Sequence, residues 1–517
     1  MLLGQSAPRS PEKIPKSAEF LHVYKKKGQF LVQGTTACLF GQHNNESNTP
    51  AFPDGVYARW QWDNGEVRAI NCRYGMYPLF YYATPDEFCI SSSIVTLLQQ
   101  GAPRDLDYTA LSVFLRLGFF LGEDTAFQAI RQLPPNAVLR WRDGRISLTN
   151  SLAESQLQSL SREAAMDGYA SLFRSAIQRR LPQDNEFVVP ISGGRDSRHI
   201  LFGLLETGRR PTFCMTARHF PPRPNPDLEV AKNLCATLSL HHVEPPPPPS
   251  RVQAELRKNE ETHFCSEEHA WALAMADHLK GKTRVLYDGI AGDILSAGLY
   301  QSEEKLRLFD TDRQKLARFL LESRTAEIVL QRLLTPDFYR HVGPNVAIGR
   351  LMEELEKHVD SPNPIRSFYF WNRTRRAVAL LPFGILSDFQ VHTPYLDHDL
   401  YDFLTSLPPE IVLDHRFHTE TLWKAYPRYR TLPFEQKKPG SVKDRAYFRR
   451  LSRELAGVAI RHGTSGIIRR SLILPRLAVC AMDGNSDWLW WGATRGLFLL
   501  QLEELTHKGN ADKKEPH

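Results

Sequence analysis

At 517 residues the chain exceeds what one hydrophobic core sustains, so roughly two or three domains are expected. A hydrophobic content of 42%, a charged content of 24% and a net charge of +7 are those of an ordinary soluble globular protein; this charge permits a basic groove for a phosphate-bearing ligand but does not by itself point to nucleic acid. No stretch approaches the roughly eighteen apolar residues of a membrane helix, the start lacks a signal-peptide core, and the scattered cysteines (Cys38, Cys72, Cys89, Cys214, Cys235, Cys265, Cys480), never in a Cys-x-x-Cys pair, read as reduced core residues of a cytoplasmic protein rather than zinc or redox ligands.

Up to about residue 150, short runs at Phe30 to Val32, Val56 to Trp62, Leu79 to Tyr82 and Phe88 to Ser91 alternate or are rich in aromatic and β-branched residues. Pro53-Asp54-Gly55 and Asp63-Asn64-Gly65 read as turns between them, and Tyr108 to Leu117 as a helix. A mostly antiparallel β layer with some helix is expected. Asp54-Gly55-Val56-Tyr57-Ala58, Arg73-Tyr74-Gly75-Met76-Tyr77-Pro78-Leu79-Phe80-Tyr81, Ser91-Ser92-Ser93, Thr125-Ala126-Phe127 and Leu133-Pro134-Pro135 follow one another in an order that resembles glutamine amidotransferase domains of the asparagine synthetase type. That resemblance implies a nucleophilic cysteine at the mature amino terminus, with its own α-amino group as base, yet position 2 is Leu2. Cys38, Cys72 and Cys89 lie within the β layer and cannot replace a terminal thiol, so this unit is expected to be a retained scaffold without glutaminase chemistry.

Tyr169, Leu172, Phe173 and Ile177 mark one face of a helix that leads into Phe187 to Asp196. Phe187, Val188, Val189 and Ile191 form an apolar run suited to a strand buried on both faces, and Ile200, Leu201, Leu204 and Leu205 a helical spacing after it. Ser192, Gly193 and Gly194 stand between strand end and helix start, where unpaired amides beside the positive end of a helix dipole make an anion site. No lysine follows the glycines, which excludes a Walker loop; Asp196 stands there instead. Ser192 to Ser197 resembles the pyrophosphate loop of the ATP pyrophosphatases. The resemblance implies ATP binding by Ser192, Gly193, Gly194, Asp196 and Ser197 and cleavage between the α and β phosphates.

Pro211 to Thr216 reads as a second buried strand, completing a βαβ unit in which Thr216 should approach the adenosine. A helix from Asp227 to Leu238 follows, then five prolines as a stiff connector, then a helix expected over 261–279 that carries His263, Glu267, Glu268 and His269. Val285 to Leu295 is another apolar strand entering a glycine turn that ends in Asp293. Asp196 and Asp293 at neighbouring strand ends could hold one Mg²⁺ together with the triphosphate. This stretch resembles the Ser-Gly-Glu-Gly-Ala-Asp-Glu turn of asparagine synthetases and β-lactam synthetases, with Gly289 and Asp293 matching and Ile290 in place of the glutamate near the acceptor. After a charged helical region to about 360 come Arg366, Arg373, Arg375 and Arg376, and His392 to His398 also resembles the family. Gln436 to Gly440 resembles its lysine loop, with Lys438 on the catalytic lysine and Lys437 as the rival.

The expected fold is α/β: amidotransferase-like α+β layers over 1–150, a doubly wound parallel-sheet ATP-pyrophosphatase domain with helical additions over 151–450, and a helical extension over 451–517. The resemblance implies an ATP- and Mg²⁺-dependent ligase of the asparagine synthetase family that activates a carboxylate as an acyl-adenylate and captures it with ammonia or a substrate amine, as a β-lactam or peptide cyclase does. A nucleotide-binding scaffold without chemistry is the alternative. Asp288, Tyr287 and Glu268 are the candidate bases. The partners expected are a small-molecule or peptide carboxylate and an amine donor, with a possible homodimer, no nucleic acid and no membrane.

Overall fold

The computed structural model describes residues 19–44, 53–152, 155–182, 186–323, 325–432, 434, 442–485 and 489–511. Ten strands open the chain: β1 Phe20–Lys26, β2 Gln29–Gly34, β3 Ala37–Asn44, β4 Asp54–Asp63, β5 Glu66–Asn71, β6 Phe80–Ala83, β7 Glu87–Ser91, β8 Arg131–Gln132, β9 Val138–Arg142 and β10 Arg145–Thr149. They build two five-stranded antiparallel sheets, β2-β1-β7-β6-β8 and β10-β9-β5-β4-β3. Alternation decides the faces: Val56, Ala58 and Trp60 of β4 and Trp141 of β9 turn inward to meet Val23, Phe88 and Ile90 from the other sheet. Phe88 and Trp141 touch across the layers with ring centroids 5.8 Å apart.

Asn64 and Gly65, at φ 49° and 80°, close the β4–β5 hairpin with the left-handed pair such turns require. The turn expected at Pro53-Asp54-Gly55 is instead the start of β4. Asp54 and Gly55 pair with Asn44 and His43, and Asp54 is drawn inward by Arg180. The helix Tyr108–Leu117 forms as the sequence predicts, capped by Asp107, whose side chain accepts from the Ala110 amide, and ended by Gly118 at φ 77°.

The second half is organised on five parallel strands, β11 Phe187–Pro190, β12 Phe213–Met215, β13 His242–Val243, β14 Val285–Tyr287 and β15 Gln390–His392, in the order β13-β12-β11-β14-β15. The helices Asp196–Glu206 and Pro226–Thr237 cross between β11, β12 and β13. Phe187 and Val188 are fully buried, each contributing about 1.5–3 kcal/mol of apolar burial, as the unbroken run in the sequence predicts. The order reverses between β11 and β14. That switch point opens a crevice at the carboxyl ends of the strands.

The helix expected over 261–279 is broken. Helix Arg251–Glu261 ends at Thr262, His263 and Phe264 take φ 52° and 58°, His269 takes 87°, and helix resumes only with Ala270–Ala272 and Leu273–Leu279. His263 and Glu267 therefore do not share a helical face; Ser266 bridges to Phe119 and Glu267 is taken by Arg495. Helices Arg445–His462, Arg470–Asp483 and Leu489–Ala511 close the chain, with Phe498 stacked on Phe114 of the first unit at 4.6 Å. No helix among the described residues is long and apolar enough to cross a membrane.

Buried guanidinium groups join the β layers to the parallel sheet. Arg180 donates to Asp54 and to Asp397, each at 2.6 Å. Burial alone would raise the Asp397 carboxyl, but the hydrogen bonds and charges of Arg179 and Arg180 hold it below its ordinary 3.8. A carboxylate with a depressed folded-state value contributes stability above that ordinary value and loses it as pH falls further. Arg180→Met is therefore expected to destabilise the protein by about 3–5 kcal/mol at neutral pH in urea unfolding, and by less below pH ~4.

Candidate active site

The loop after β11 is built largely from its own hydrogen bonds. The Ser192 amide donates to Ser197 Oγ at 3.1 Å, the Gly194 amide to Ser192 Oγ at 3.1 Å, and the Gly193 amide to Asp227 Oδ1 at 2.8 Å. These three amides are thus not left unpaired, as the sequence suggested; side chains hold the loop in shape, and one of them is a carboxylate on the path an anion would use. The helix Asp196–Glu206 starts with no side chain capping its first amides.

The loop after β14 comes up against the same place. The Asp288 amide donates to the His392 carbonyl at 2.9 Å, the Ile290 amide to Asp288 Oδ1 at 2.7 Å and the Ile294 amide to Asp293 Oδ1 at 2.7 Å. Ala291 sits at φ 73° and turns the chain into the helix Gly292–Ser296. Two glycines permit the approach. A Cβ on Gly289 would lie 2.8 Å from Asp196 Cβ, and one on Gly292 would lie 2.5 Å from Asp196 Oδ1 and 2.8 Å from Tyr395. Neither glycine has a left-handed φ, so the requirement here is space rather than backbone freedom.

Asp196, Asp288 and Asp293 are half-buried around this contact. Enclosure first, then the Asp293 carboxylate, push Asp196 well above the usual carboxyl range, with Asp288 adding and Arg195 opposing. Asp288 is raised to about 6, mainly by enclosure. Asp196 Oδ1 has no hydrogen-bond partner. Such neighbouring carboxylates, raised by enclosure and by one another, suit a divalent cation shared with a ligand's oxygens. Among the described residues no three His, Cys, Asp or Glu side chains are grouped so that they could hold a metal ion by themselves.

The other expected site residues are distributed as follows. Thr216 is at the end of β12, but its hydroxyl is committed to the Ile191 carbonyl at 2.6 Å and to His242 at 2.9 Å. Tyr287 donates its hydroxyl to the Arg180 carbonyl. Glu268 is held by Arg373 through contacts of 2.9 and 3.0 Å, and the charges of Glu268, Tyr300 and Asp293 outweigh burial to keep that guanidinium ionised. Lys437 and Lys438 lie outside the described residues; Phe434, just before them, sits under Arg195 and Arg198 at 5.2 and 4.5 Å. Behind Asp196 lies a group that sequence reasoning missed: His418, His199, Tyr169, Tyr395 and Ser296, all buried, with His418 Nδ1 3.4 Å from Asp196 Oδ1. Burial pushes His418 down to about 3, so it is neutral. Asp227, which the sequence places only at the start of a helix, is the other omission, since its carboxylate accepts from the Gly193 amide.

Residues 168–429 match the asparagine synthase family and residues 40–151 match the glutamine amidotransferase domain. No curated protein matches. Among solved structures, the allosteric regulatory enzyme of purine biosynthesis is similar at 11% identity, over 38% of this chain and 49% of that one, with a TM-score of 0.15; the chain thus spans about half the length of that structure.

The glycine cradle carries a direct test. Gly292→Ala displaces Asp196 or the loop itself, and is expected to weaken Mg²⁺-dependent ATP binding by about tenfold or more in titration calorimetry while thermal unfolding stays cooperative.

Proposed function

The chain belongs to the asparagine synthase family, and from that premise we propose that it is an ATP-dependent ligase that activates a carboxylate as an acyl-adenylate, releases pyrophosphate and captures the adenylate with ammonia or a substrate amine. The observation that carries this reading is the crowding of Asp196, Asp288 and Asp293 at the switch point of the parallel sheet. Asp196 and Asp293 would hold Mg²⁺, and when bound the ion supplies charge neutralisation on the departing pyrophosphate. Ser192, Gly193, Gly194 and Ser197 with the start of the helix Asp196–Glu206 receive the phosphates, Gly289 keeps the second loop close, and Thr216 borders the adenosine. For the β,γ-phosphates to reach the Gly193 amide, Asp227 must yield its hydrogen bond.

The acceptor carboxylate attacks the α-phosphorus and the bond to the β-phosphate oxygen breaks. Lys438 is assigned to the charge that develops there. The amine then attacks the acyl carbon, AMP leaves, and the proton lost by the amine goes to a base. Asp288 is the best suited of the three candidates, because Tyr287 and Glu268 are engaged by Arg180 and Arg373 while Asp288 is poised near neutrality. Ile290, buried and apolar, favours an amine carried by the substrate over the asparagine reaction proper.

The chemistry is assigned to 151–450, with 1–150 as the retained amidotransferase-like scaffold and 451–517 as the helical extension. Burial raises the thiols of Cys38, Cys72 and Cys89, which supports a first unit without a cysteine nucleophile among its described residues. The seven unpaired cysteines support a reducing, cytoplasmic setting. The alternative, a nucleotide-binding scaffold without chemistry, is favoured by one observation: the amides of Ser192, Gly193 and Gly194 are already engaged.

The deciding assay is pyrophosphate and AMP release from Mg²⁺ and ATP against aspartate with ammonia, amino-acid derivatives and peptides. Release that depends on one acceptor and falls by about 10³-fold or more in Asp196→Ala is expected; ATP binding with no release from any acceptor favours the scaffold. Asp288→Asn is expected to leave pyrophosphate release largely intact and slow amide formation about 10²–10⁴-fold, with the wild-type amide-forming rate rising as pH passes through about 6 because the base works ionised.

A further inference from the structure

The network behind Asp196 assigns its own protons. Ser296 Oγ lies 2.7 Å from the Gly292 carbonyl, 2.8 Å from His418 Nδ1 and 3.1 Å from the Tyr169 hydroxyl. A carbonyl only accepts, so the single Ser296 proton goes to Gly292. Toward His418, Ser296 is then the acceptor, and His418 Nδ1 must carry a hydrogen. In the neutral ring Nε2 is consequently bare and accepts from the Tyr395 hydroxyl at 3.5 Å. His199 Nδ1 lies 3.2 Å from the Tyr395 hydroxyl and 3.4 Å from the Tyr169 hydroxyl and donates between them, which leaves His199 Nε2 bare and agrees with its having no partner. Each hydroxyl uses its proton once, and the His418 ring is held from both nitrogens.

The Nδ1–H so fixed is given to Ser296 Oγ; Nδ1 also lies 3.4 Å from Asp196 Oδ1, which makes no hydrogen bond, so the ring turns the positive edge of its Nδ1–H dipole toward the carboxylate. That oxygen is enclosed and otherwise unpartnered, while the Asp196 side chain keeps 26% of its surface exposed, so the exposure falls on its other atoms. We propose that His418 is a positioning residue for Asp196, the positive Nδ1–H edge of its ring lying behind one carboxylate oxygen so that the other serves a divalent cation arriving with the triphosphate. This inference rests on the ligase reading in that Asp196 is taken as a cation-binding residue. Ser296, His418 and Tyr395 come from three separate segments and meet beside Gly292 and Asp196.

Two measurements test it. In ¹⁵N NMR of the ligand-free protein the His418 ring is expected as the Nδ1–H tautomer; an Nε2–H ring overturns the proposal whatever any variant does. In titration calorimetry, His418→Phe keeps the bulk and removes the donor, and is expected to raise the Mg²⁺ concentration for half-maximal ATP binding roughly 10- to 100-fold, while His418→Asn, whose amide can stand in for Nδ1–H, restores it to within about threefold of wild type. Equal weakening in both variants marks a packing role and overturns the proposal, as does no weakening in either. Wild-type protein that binds ATP with no dependence on Mg²⁺ overturns the ligase reading and this inference with it, whereas Mg²⁺-dependent binding that both variants share unchanged overturns this inference alone.

Discussion

Everything at the crevice depends on how closely two loops approach. The turn after β11 delivers Asp196, the turn after β14 delivers Asp288 and Asp293, and the two meet only because positions 289 and 292 carry no side chain. Three carboxylates in one half-enclosed place repel one another, and enclosure removes the water that would screen them. Such an arrangement lowers stability wherever it occurs without compensation, and it persists because the surrounding sheet and helices over-determine the loop positions. A cation between the carboxylates relieves the same repulsion. That repulsion in the ligand-free protein is what the proposed cation-bearing substrate would relieve.

The rigidity this needs comes from charge buried elsewhere. Arg375 donates to the carbonyls of Gly75, Gly122 and Leu133, and Arg376 to those of Leu121, Gly122 and Asp124. Both side chains are almost fully enclosed, and burial lowers Arg375 to about 10 without discharging it. A guanidinium has five donors in a fixed plane, so it can satisfy several loop carbonyls that no strand or helix satisfies. Just before these arginines runs a π-helical stretch, Phe370–Thr374, whose wider winding presents Arg373 toward Glu268 and Asp293 while Arg375 and Arg376, which follow it, point into the first unit. One short segment therefore addresses the crevice and the β layers together.

What could be read along the chain was local. The apolar run of β11, the Ser-Gly-Gly turn, the helix behind it and the second glycine turn all announce themselves within about twenty residues, because strand burial, turn chemistry and helical spacing act at short range. The helix Tyr108–Leu117 and the turn at Asn64-Gly65 were legible for the same reason. The misread places are those where a distant residue decides. Asp54 starts a strand because Arg180 pulls it inward; 263–269 leaves the helix because Phe119 and Arg495 take Ser266 and Glu267; Asp227 spans thirty-four positions to cap Gly193. His418 had no local signal at all, since its partners Ser296, Tyr395 and Asp196 lie on other elements and an isolated histidine on a helix face reads as packing.

The same long-range contacts explain why a first unit without a nucleophile would be kept. Its loops are not an appendage: they supply the carbonyls that enclose Arg375 and Arg376 and the carboxylate that meets Arg180. Were those β layers absent, three guanidinium groups packed against the parallel sheet would face solvent or apolar surface without their acceptors, and the π-helical turn that also positions Arg373 would lose one of its walls. A buried donor left unmade costs about 1–3 kcal/mol, and more when it is charged. The mechanical need for the unit is therefore independent of any amidotransferase chemistry, and the arginines beside the carboxylates are held from the far side of the joint.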